Sequence, residues 1–376
     1  MRAYLYLMVV AAAVTYVTTP LIRRIARRIG AITPVRERDV HAVPIPRLGG
    51  VAMFLGFAVA ILTANEISQH TSSNFLRSVF QGGQPWGVLL GAGVVCLLGV
   101  ADDVWQLDAI TKFAGQAIGA GLMAWKGVQL VSVPVLGVTI FSTGVLVLLT
   151  VFIVLLTINA VNFVDGLDGL AAGVVGIAAS AFFVYSYLLT RSNNAQDYSS
   201  VASMVTASLV GCCIGFLPHN FNPARIFMGD SGSMLIGLLM ASATIEVTGQ
   251  VDPESTSVDK IAPAFFPLVL PLAVLALPLV DLGLAVVRRT RRGQMFWQPD
   301  KMHLHHRMLA LGHSHASAVL ILYVWTATFA FGVALMAFVP FTYGLLAGGV
   351  AVLVATALTL GPLRRPRVRA ESRHAQ

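Results

Sequence analysis

The sequence is poor in charged residues for its length. Only 11% of its 376 residues are Asp, Glu, Lys or Arg, whereas 56% are hydrophobic, and the mean hydropathy is +0.78. Soluble domains carry roughly 25% charged residues, so this composition excludes a water-soluble globule. Because a membrane-spanning helix takes about 20 apolar residues, the chain has room for about eleven spans and for no separate soluble domain.

Cysteine is equally scarce. The three cysteines lie within apolar runs without the spacing of metal ligands, so we interpret them as core residues. The net charge of +8 is expected to report membrane orientation and anionic lipid headgroups, and we expect no nucleic acid to bind. The apolar residues 1–20 lack the cleavage site of a signal peptide, so we take them as the first span.

Eleven apolar stretches predict an all-α, polytopic integral membrane protein. They are residues 3–22, 48–64, 86–101, 111–125, 141–160, 168–188, 199–217, 231–248, 262–287, 317–338 and 340–362. We expect residues 1–362 to form a single transmembrane domain, followed by a basic tail at 363–376. When alternate loops are pooled, 20 of the 25 basic residues fall on the side of the C-terminus. The positive-inside rule makes that side cytoplasmic and places the N-terminus outside.

Several carboxylates adjoin apolar runs on this cytoplasmic side. They are Asp102, Asp103, Asp108, Asp165, Asp168, Asp230 and Asp281. Carboxylates at membrane depth are costly and are functional candidates by default. We therefore expect a site that opens to the cytoplasm.

Two cytoplasmic loops combine basic and acidic groups. The segment VRERDVHAVPIPRLGG, residues 35–50, places Arg47 before two glycines, which suits phosphate, although membrane anchoring explains the same charges. In GVADDVWQLDAITKFAGQ, residues 99–116, Asp102 and Asp103 repel each other at a helix end, and Lys112 follows. A cation or a substrate proton would relieve this repulsion; solvated capping acids are the structural alternative.

The segment NAVNFVDGLDGLAAG repeats a polar residue at every third position. These residues are Asn159, Asn162, Asp165 and Asp168. Neighbours three apart share a helix face, so we expect Asn162 and Asp165, or Asp165 and Asp168, to bind one ligand: a base edge, a sugar hydroxyl or Mg²⁺. Turn and capping chemistry between two spans is the alternative.

The segment PHNFNPARIFMGDSGSMLIG, residues 218–237, leads directly into a span. Its glycines and the amides of a helix start allow close approach to a phosphate, and Asp230 can hold the accompanying Mg²⁺. Phe227 is placed to stack on a nucleobase. The alternative is that Asp230 or Ser231 only caps the helix.

The basic loop 288–316 contains three histidines, His303, His305 and His306, followed by Arg307. The surrounding cations favour phosphate binding. A zinc site that includes Asp300, or a solvated loop, is the alternative.

Taken together, these motifs resemble the polyprenyl-phosphate N-acetylhexosamine-1-phosphate transferase family. PIPRLGG, ADD, NAVNFVDGLDGLAAG, FNPARIFMGDSGS and HLHHR occur in the order of that family over about residues 35–310. The HLHHR sequence is similar to the undecaprenyl- or decaprenyl-phosphate GlcNAc-1-phosphate transferase branch. The resemblance implies transfer of GlcNAc-1-phosphate from UDP-GlcNAc to a polyprenyl phosphate with release of UMP, at the start of cell-envelope polysaccharide synthesis in a bacterial plasma membrane.

The resemblance also implies roles for individual residues. Asp102 and Asp103 match the acidic pair that deprotonates or orients the lipid phosphate, and Asp230 completes the catalytic set. Asp230 and Asn162 match positions associated with Mg²⁺, for which Mn²⁺ is an alternative. Nucleotide binding is expected at Asn159, Asn162, Asp165, Asp168 and Phe227. Phosphate or sugar binding is expected at Arg47, Lys112, His303, His305, His306 and Arg307.

Other functions compete with this prediction. A phospho-MurNAc-pentapeptide translocase is the nearest enzymatic alternative, although Leu304 interrupts the three consecutive histidines typical of that branch. A cation-coupled transporter would place its carboxylates near the membrane midplane rather than at one surface. Homodimerisation is an open alternative to a monomer.

Overall fold

A computed structural model describes residues 1–33, 44–70, 74–131, 133–134, 138–139, 141–193, 200–248, 290 and 313–361. Within these ranges the chain forms eleven α-helices and two short hairpins. The helices are α1 Arg2–Ile29, α2 Gly49–His70, α3 Asn74–Gln81, α4 Gln84–Trp105, α5 Ala109–Trp125, α6 Thr143–Val164, α7 Leu170–Asn193, α8 Val201–Asn220, α9 Gly229–Thr248, α10 His315–Met336 and α11 Phe341–Leu360. The strands are β1 Ile32–Thr33, β2 Ile45–Pro46, β3 Val133–Pro134 and β4 Val138–Thr139.

The structure confirms the all-α, polytopic class. Nine of the described helices are long and apolar enough to cross a membrane; α3 and the 17-residue α5 are shorter. Ten of the eleven predicted stretches correspond to described helices, and the other, 262–287, lies outside the described residues, as does the tail 363–376. The short α3 was not predicted. The predicted orientation of the termini stays a prediction.

The first helix is longer than its apolar run. It continues from the predicted end at residue 22 to Ile29, and Arg27 and Arg28 lie in its last turn. Their positive charges interact favourably with the negative end of the helix dipole. Gly30 ends the helix with a φ of 75°, a conformation that glycine adopts without strain. The charged turns after residue 22 therefore belong to α1, although the hydropathy pattern that predicted residues 3–22 does not include them.

The centre of the bundle is formed by α8 and α9. In their most apolar 18-residue windows, 83% of α8 and 94% of α9 are buried, against 11% of α11. Helix α9 packs against α2, α4, α6 and α8. Gly50 of α2 and Gly99 of α4 lie so close to the first turn of α9 that a Cβ on either would collide with its backbone. Small residues thus bring the ends of three helices together.

The chain that enters α9 is fixed by the β1–β2 hairpin. The strands pair antiparallel, with Ile32 opposite Pro46. Phe227 extends this pairing, since its amide donates to the carbonyl of Pro46 at 2.8 Å and its carbonyl accepts from Gly49 at 3.0 Å. The second hairpin pairs β3 with β4 antiparallel, with Val133 opposite Thr139.

Candidate active site

Asp103 caps a helix that is distant in sequence. It stands near the end of α4, yet its Oδ1 accepts from the amide of Asp230 at 2.9 Å and its Oδ2 from the amide of Ser231 at 3.1 Å. A carboxylate stabilises the positive end of the helix dipole. Gly229 makes room for it, because a Cβ there would collide with this carboxylate. Both oxygens of Asp103 therefore bind the start of α9.

Asp102, Lys112 and Asp230 form one charged cluster. The ammonium of Lys112 lies 2.5 Å from Oδ2 of Asp102 and 3.0 Å from Oδ2 of Asp230. The other oxygen of Asp102 accepts from the amide of Leu107 at 2.8 Å. The ends of α4, α5 and α9 thus contribute two carboxylates and one cation to a single point. Lys112, which we predicted as a phosphate ligand, pairs with these carboxylates here.

Asp108 lies outside this cluster. Its exposed carboxylate caps α5 and accepts from the amides of Ile110 and Thr111. The hydroxyl and amide of Thr111 lower the pKa of Asp108 by stabilising its charged form. Asp108 therefore starts the helix that carries Lys112.

The polar repeat of residues 159–168 does not lie on one helix face. Helix α6 ends at Val164, so Asp165 and Asp168 belong to the turn before α7. The helical spacing that we predicted for this pair is therefore wrong, because Gly166 and Gly169 interrupt the helix. Asn162 remains in α6, within its last turn.

Asp168 and Asn159 have structural partners. Oδ2 of Asp168 accepts from Nδ2 of Asn222 and from the amide of Ala224, each at 3.0 Å, and so holds the loop that precedes α9. Nδ2 of Asn159 donates to Oε1 of Gln116 at 2.9 Å and joins α6 to α5. Nucleotide binding by these two residues stays a prediction.

Asp165 is the half-buried carboxylate of the turn and lies near the charged cluster. Burial, followed by the negative charges of Asp230 and Asp103, raises the pKa of Asp165 to about 7, and the positive charge of Arg47 opposes this. The Nε of Arg47 donates to the Oγ1 of Thr33 at 2.5 Å, which fixes the guanidinium beside the β1–β2 hairpin. The structure thus brings Arg47 and Asp165 to the same site.

Two residues that we did not select also support the turn. Buried Asn220 accepts from the amide of Gly169 at 3.1 Å and donates to the carbonyl of Ile226 at 3.0 Å. The hydroxyl of Tyr323, in α10, donates to the carbonyl of Gly169 at 2.5 Å. The amide side chain that follows an apolar run was a usable signal for Asn220, whereas no local pattern distinguishes Tyr323 from other aromatic residues of a span.

Part of the predicted site belongs to segments that the structure does not describe. His303, His305, His306 and Arg307 lie outside the described residues, as does Asp281. Phe227 is half-buried and fixed by its backbone, and its contact with a base stays a prediction. Among the described residues, no three His, Cys, Asp or Glu side chains form a ready metal cage. One cation position is nevertheless defined, because Asp102 and Asp230 each direct one carboxylate oxygen at the ammonium of Lys112.

Carboxylates at the ends of several membrane helices mark a functional site. Where they meet basic side chains, as they do here, the site suits an enzyme that binds a phosphorylated substrate. Residues 85–248 match the family model described as glycosyl transferase family 4. The chain is 41% identical to the decaprenyl-phosphate N-acetylglucosaminephosphotransferase of Mycolicibacterium smegmatis, over 94% of this chain and 87% of the relative.

Two further relatives are less similar in sequence. A probable undecaprenyl-phosphate N-acetylglucosaminyl 1-phosphate transferase of Bacillus subtilis is 31% identical over 84% of this chain and 80% of its own. A phospho-N-acetylmuramoyl-pentapeptide-transferase of Desulforudis audaxviator is 28% identical over 63% of this chain and 74% of its own. The chain belongs to glycosyl transferase family 4, within the polyprenyl-phosphate N-acetylhexosamine-1-phosphate transferases.

Proposed function

We propose that the protein transfers GlcNAc-1-phosphate from UDP-GlcNAc to a polyprenyl phosphate, giving polyprenyl-diphosphate-GlcNAc and UMP. The observation that carries the proposal is the convergence of Asp102, Lys112 and Asp230 at the ends of three helices, in a chain closely similar to GlcNAc-1-phosphate transferases. The nearest enzymatic alternative is transfer of phospho-MurNAc-pentapeptide. The relative with that name is more distant in sequence, which makes this alternative weaker.

The position of the site suits a lipid acceptor. The carboxylates lie where membrane-spanning helices end, so a prenyl tail can remain in lipid while its phosphate reaches the polar cluster. Two described basic residues of the loops predicted to be cytoplasmic, Arg47 and Lys112, lie at the same ends of the helices. We therefore place the active site on the cytoplasmic face of a bacterial plasma membrane, where UDP-sugars are available.

The carboxylates fit Mg²⁺, with Mn²⁺ as the alternative. Asp102 and Asp230 approach one cation position from different helices, and oxygen donors are the ligands that Mg²⁺ prefers. Asn162, in the last turn of α6, is the proposed amide ligand. When bound, the metal neutralises charge on the diphosphate during phosphoryl transfer.

The remaining residues divide into binding and positioning roles. Arg47 and Lys112 supply positive charge for the diphosphate of the donor or the phosphate of the acceptor. Phe227 stacks on the uracil, and Asp165 contacts the nucleotide. Asp103 and Asp168 hold the segment that carries Asp230 in place. A direct in-line attack by the lipid phosphate then requires mainly positioning and electrostatic stabilisation.

The test is a transfer assay with purified protein in detergent, a polyprenyl phosphate, MgCl₂ and a panel of UDP-sugars. We expect UMP and a lipid-linked GlcNAc only with UDP-GlcNAc. Efficient use of UDP-MurNAc-pentapeptide would contradict the substrate assignment but not the phosphotransferase chemistry. If no UDP-sugar yields a lipid-linked product, and cation flux occurs in proteoliposomes instead, the enzyme assignment is wrong.

A further inference from the structure

The cation that pairs with the active-site carboxylates is part of the chain itself. The ammonium of Lys112 contacts Asp102 and Asp230 together, and the two acids come from α4 and α9. These are the same carboxylates that the proposed function assigns to Mg²⁺. One ammonium therefore lies where the two assigned ligands converge.

The choice of a lysine here is informative. Only four of the 25 basic residues in the chain are lysines: Lys112, Lys126, Lys260 and Lys301. Arginine holds a carboxylate through a rigid, two-pronged contact, whereas lysine is a point charge on a flexible stem. Each carboxylate offers a single oxygen to the ammonium, so Lys112 is held as a point charge and not by a two-pronged contact.

Lys112 is the most exposed of the three charged residues. Its side chain is 29% exposed, and that of Asp230 is 24% exposed, whereas that of Asp102 is only 7% exposed. Lys112 and Asp230 thus form the more exposed side of the cluster. By contrast, Asp102 and Asp103 are fixed by backbone amides.

We propose that Lys112 is a resident counter-ion that occupies the cation position in the metal-free protein and leaves it when Mg²⁺ binds. This inference rests on the metal site of the proposed function. Without a cation, Asp102 and Asp230 would repel each other across the meeting of α4 and α9. Lys112 prevents this, and once released it brings its charge to the substrate phosphate, which is the role predicted from the sequence.

The direct test measures the chemical reactivity of Lys112. An ammonium held between two carboxylates reacts slowly with an amine-directed acylating reagent, because these two contacts shield its nitrogen from the reagent. We expect MgCl₂ alone, without substrate, to increase labelling of Lys112 several-fold in peptide mass spectrometry. Lys126 lies at the other end of α5, is exposed and provides the control within the same sample. An unchanged ratio of the two labels, under conditions in which calorimetry detects Mg²⁺ binding, would overturn the inference.

A second test uses Mg²⁺ affinity without catalysis. Lys112→Gln removes the competing charge, so we expect it to bind Mg²⁺ about tenfold more tightly or better, and to gain more thermal stability from MgCl₂ than the wild type. Lys126→Gln should keep the wild-type affinity. Equal or weaker binding by Lys112→Gln would contradict the counter-ion role. Because neither test uses a UDP-sugar, a wrong substrate assignment would affect the transfer assay and leave these results unchanged.

Discussion

Two segments of the site, the end of α4 and the turn between α6 and α7, each carry a pair of carboxylates with divided roles. At the end of α4, Asp103 binds the amides that start α9, while Asp102 faces Lys112. In the turn, Asp168 binds the loop before α9, while Asp165 lies near the charged cluster. Both anchors hold the same stretch of chain, from Asn222 to Ser231.

The different roles within each carboxylate pair explain how the stretch 222–231 is positioned. The stretch 222–231 contributes Asp230, and it is held from two sides, by Asp103 of α4 and by Asp168 of the turn between α6 and α7. If this division is correct, changes to Asp230, Asp102 or Asp165 should alter chemistry or pH dependence, and changes to Asp103 or Asp168 should alter stability. Each of the following predictions tests one side of this division.

The largest effect is expected for Asp230→Asn. The change keeps the shape of the side chain but removes the charge that the proposed metal and Lys112 require, so transfer should fall by about 10²–10³-fold or more. Thermal unfolding in detergent should remain close to that of the wild type. Addition of EDTA should have a similar effect on the wild-type protein, with recovery in MgCl₂. Wild-type turnover by Asp230→Asn would remove this residue from the mechanism.

The second prediction compares neighbours. Asp103→Ala removes two charge-assisted hydrogen bonds to a helix start, so the free energy of unfolding should fall by about 2–4 kcal/mol. Asp102→Asn should lower kcat while leaving the free energy of unfolding nearly unchanged. Unfolding in mixed micelles of mild detergent and SDS, together with UMP release, measures both quantities. Equal losses of stability in the two variants would contradict the assignment of Asp103 as the anchor and of Asp102 as the carboxylate that acts in catalysis.

The third prediction concerns Gly229, whose φ is 69°. Gly229→Ala adds a Cβ that collides with the carboxylate of Asp103 and forces a strained backbone, so it should destabilise the protein by about 1–3 kcal/mol. Gly121→Ala is the matched control, because a Cβ there meets open space. If both alanine variants unfold at the same temperature, the cap of α9 is less important than the geometry indicates.

The fourth prediction is a pH dependence of stability caused by Asp165. Its pKa of about 7 in the folded protein lies above the usual value of about 4 in an unfolded chain. The folded state therefore binds the proton more tightly, and stability should decrease as the pH rises from about 4 to about 7 and change no further above that. Asp165→Asn should flatten this dependence. Melting temperatures measured between pH 5 and pH 8 without Mg²⁺ provide the check, and parallel curves for both proteins would contradict it.

The sequence was sufficient for the helices but not for every contact between them. Apolar runs predicted each of the long described helices, because a run of about 20 apolar residues has one stable form in a bilayer. Helix α3 was missed because it is short and its eight residues have no continuous apolar run. The contact of Tyr323 with Gly169 depends on a partner 154 residues away, which no local pattern reports.

By itself, the sequence predicted a bundle of membrane helices with several carboxylates gathered at one end. Hydropathy and the cost of charge in lipid act on each segment locally, so they can be inferred without a fold. Only the tertiary structure decided which carboxylate of each pair anchors and which faces the cluster. Asp102 and Asp103 are chemically identical neighbours, and their roles differ because the start of α9, 127 residues away, directs its free amides to one of them.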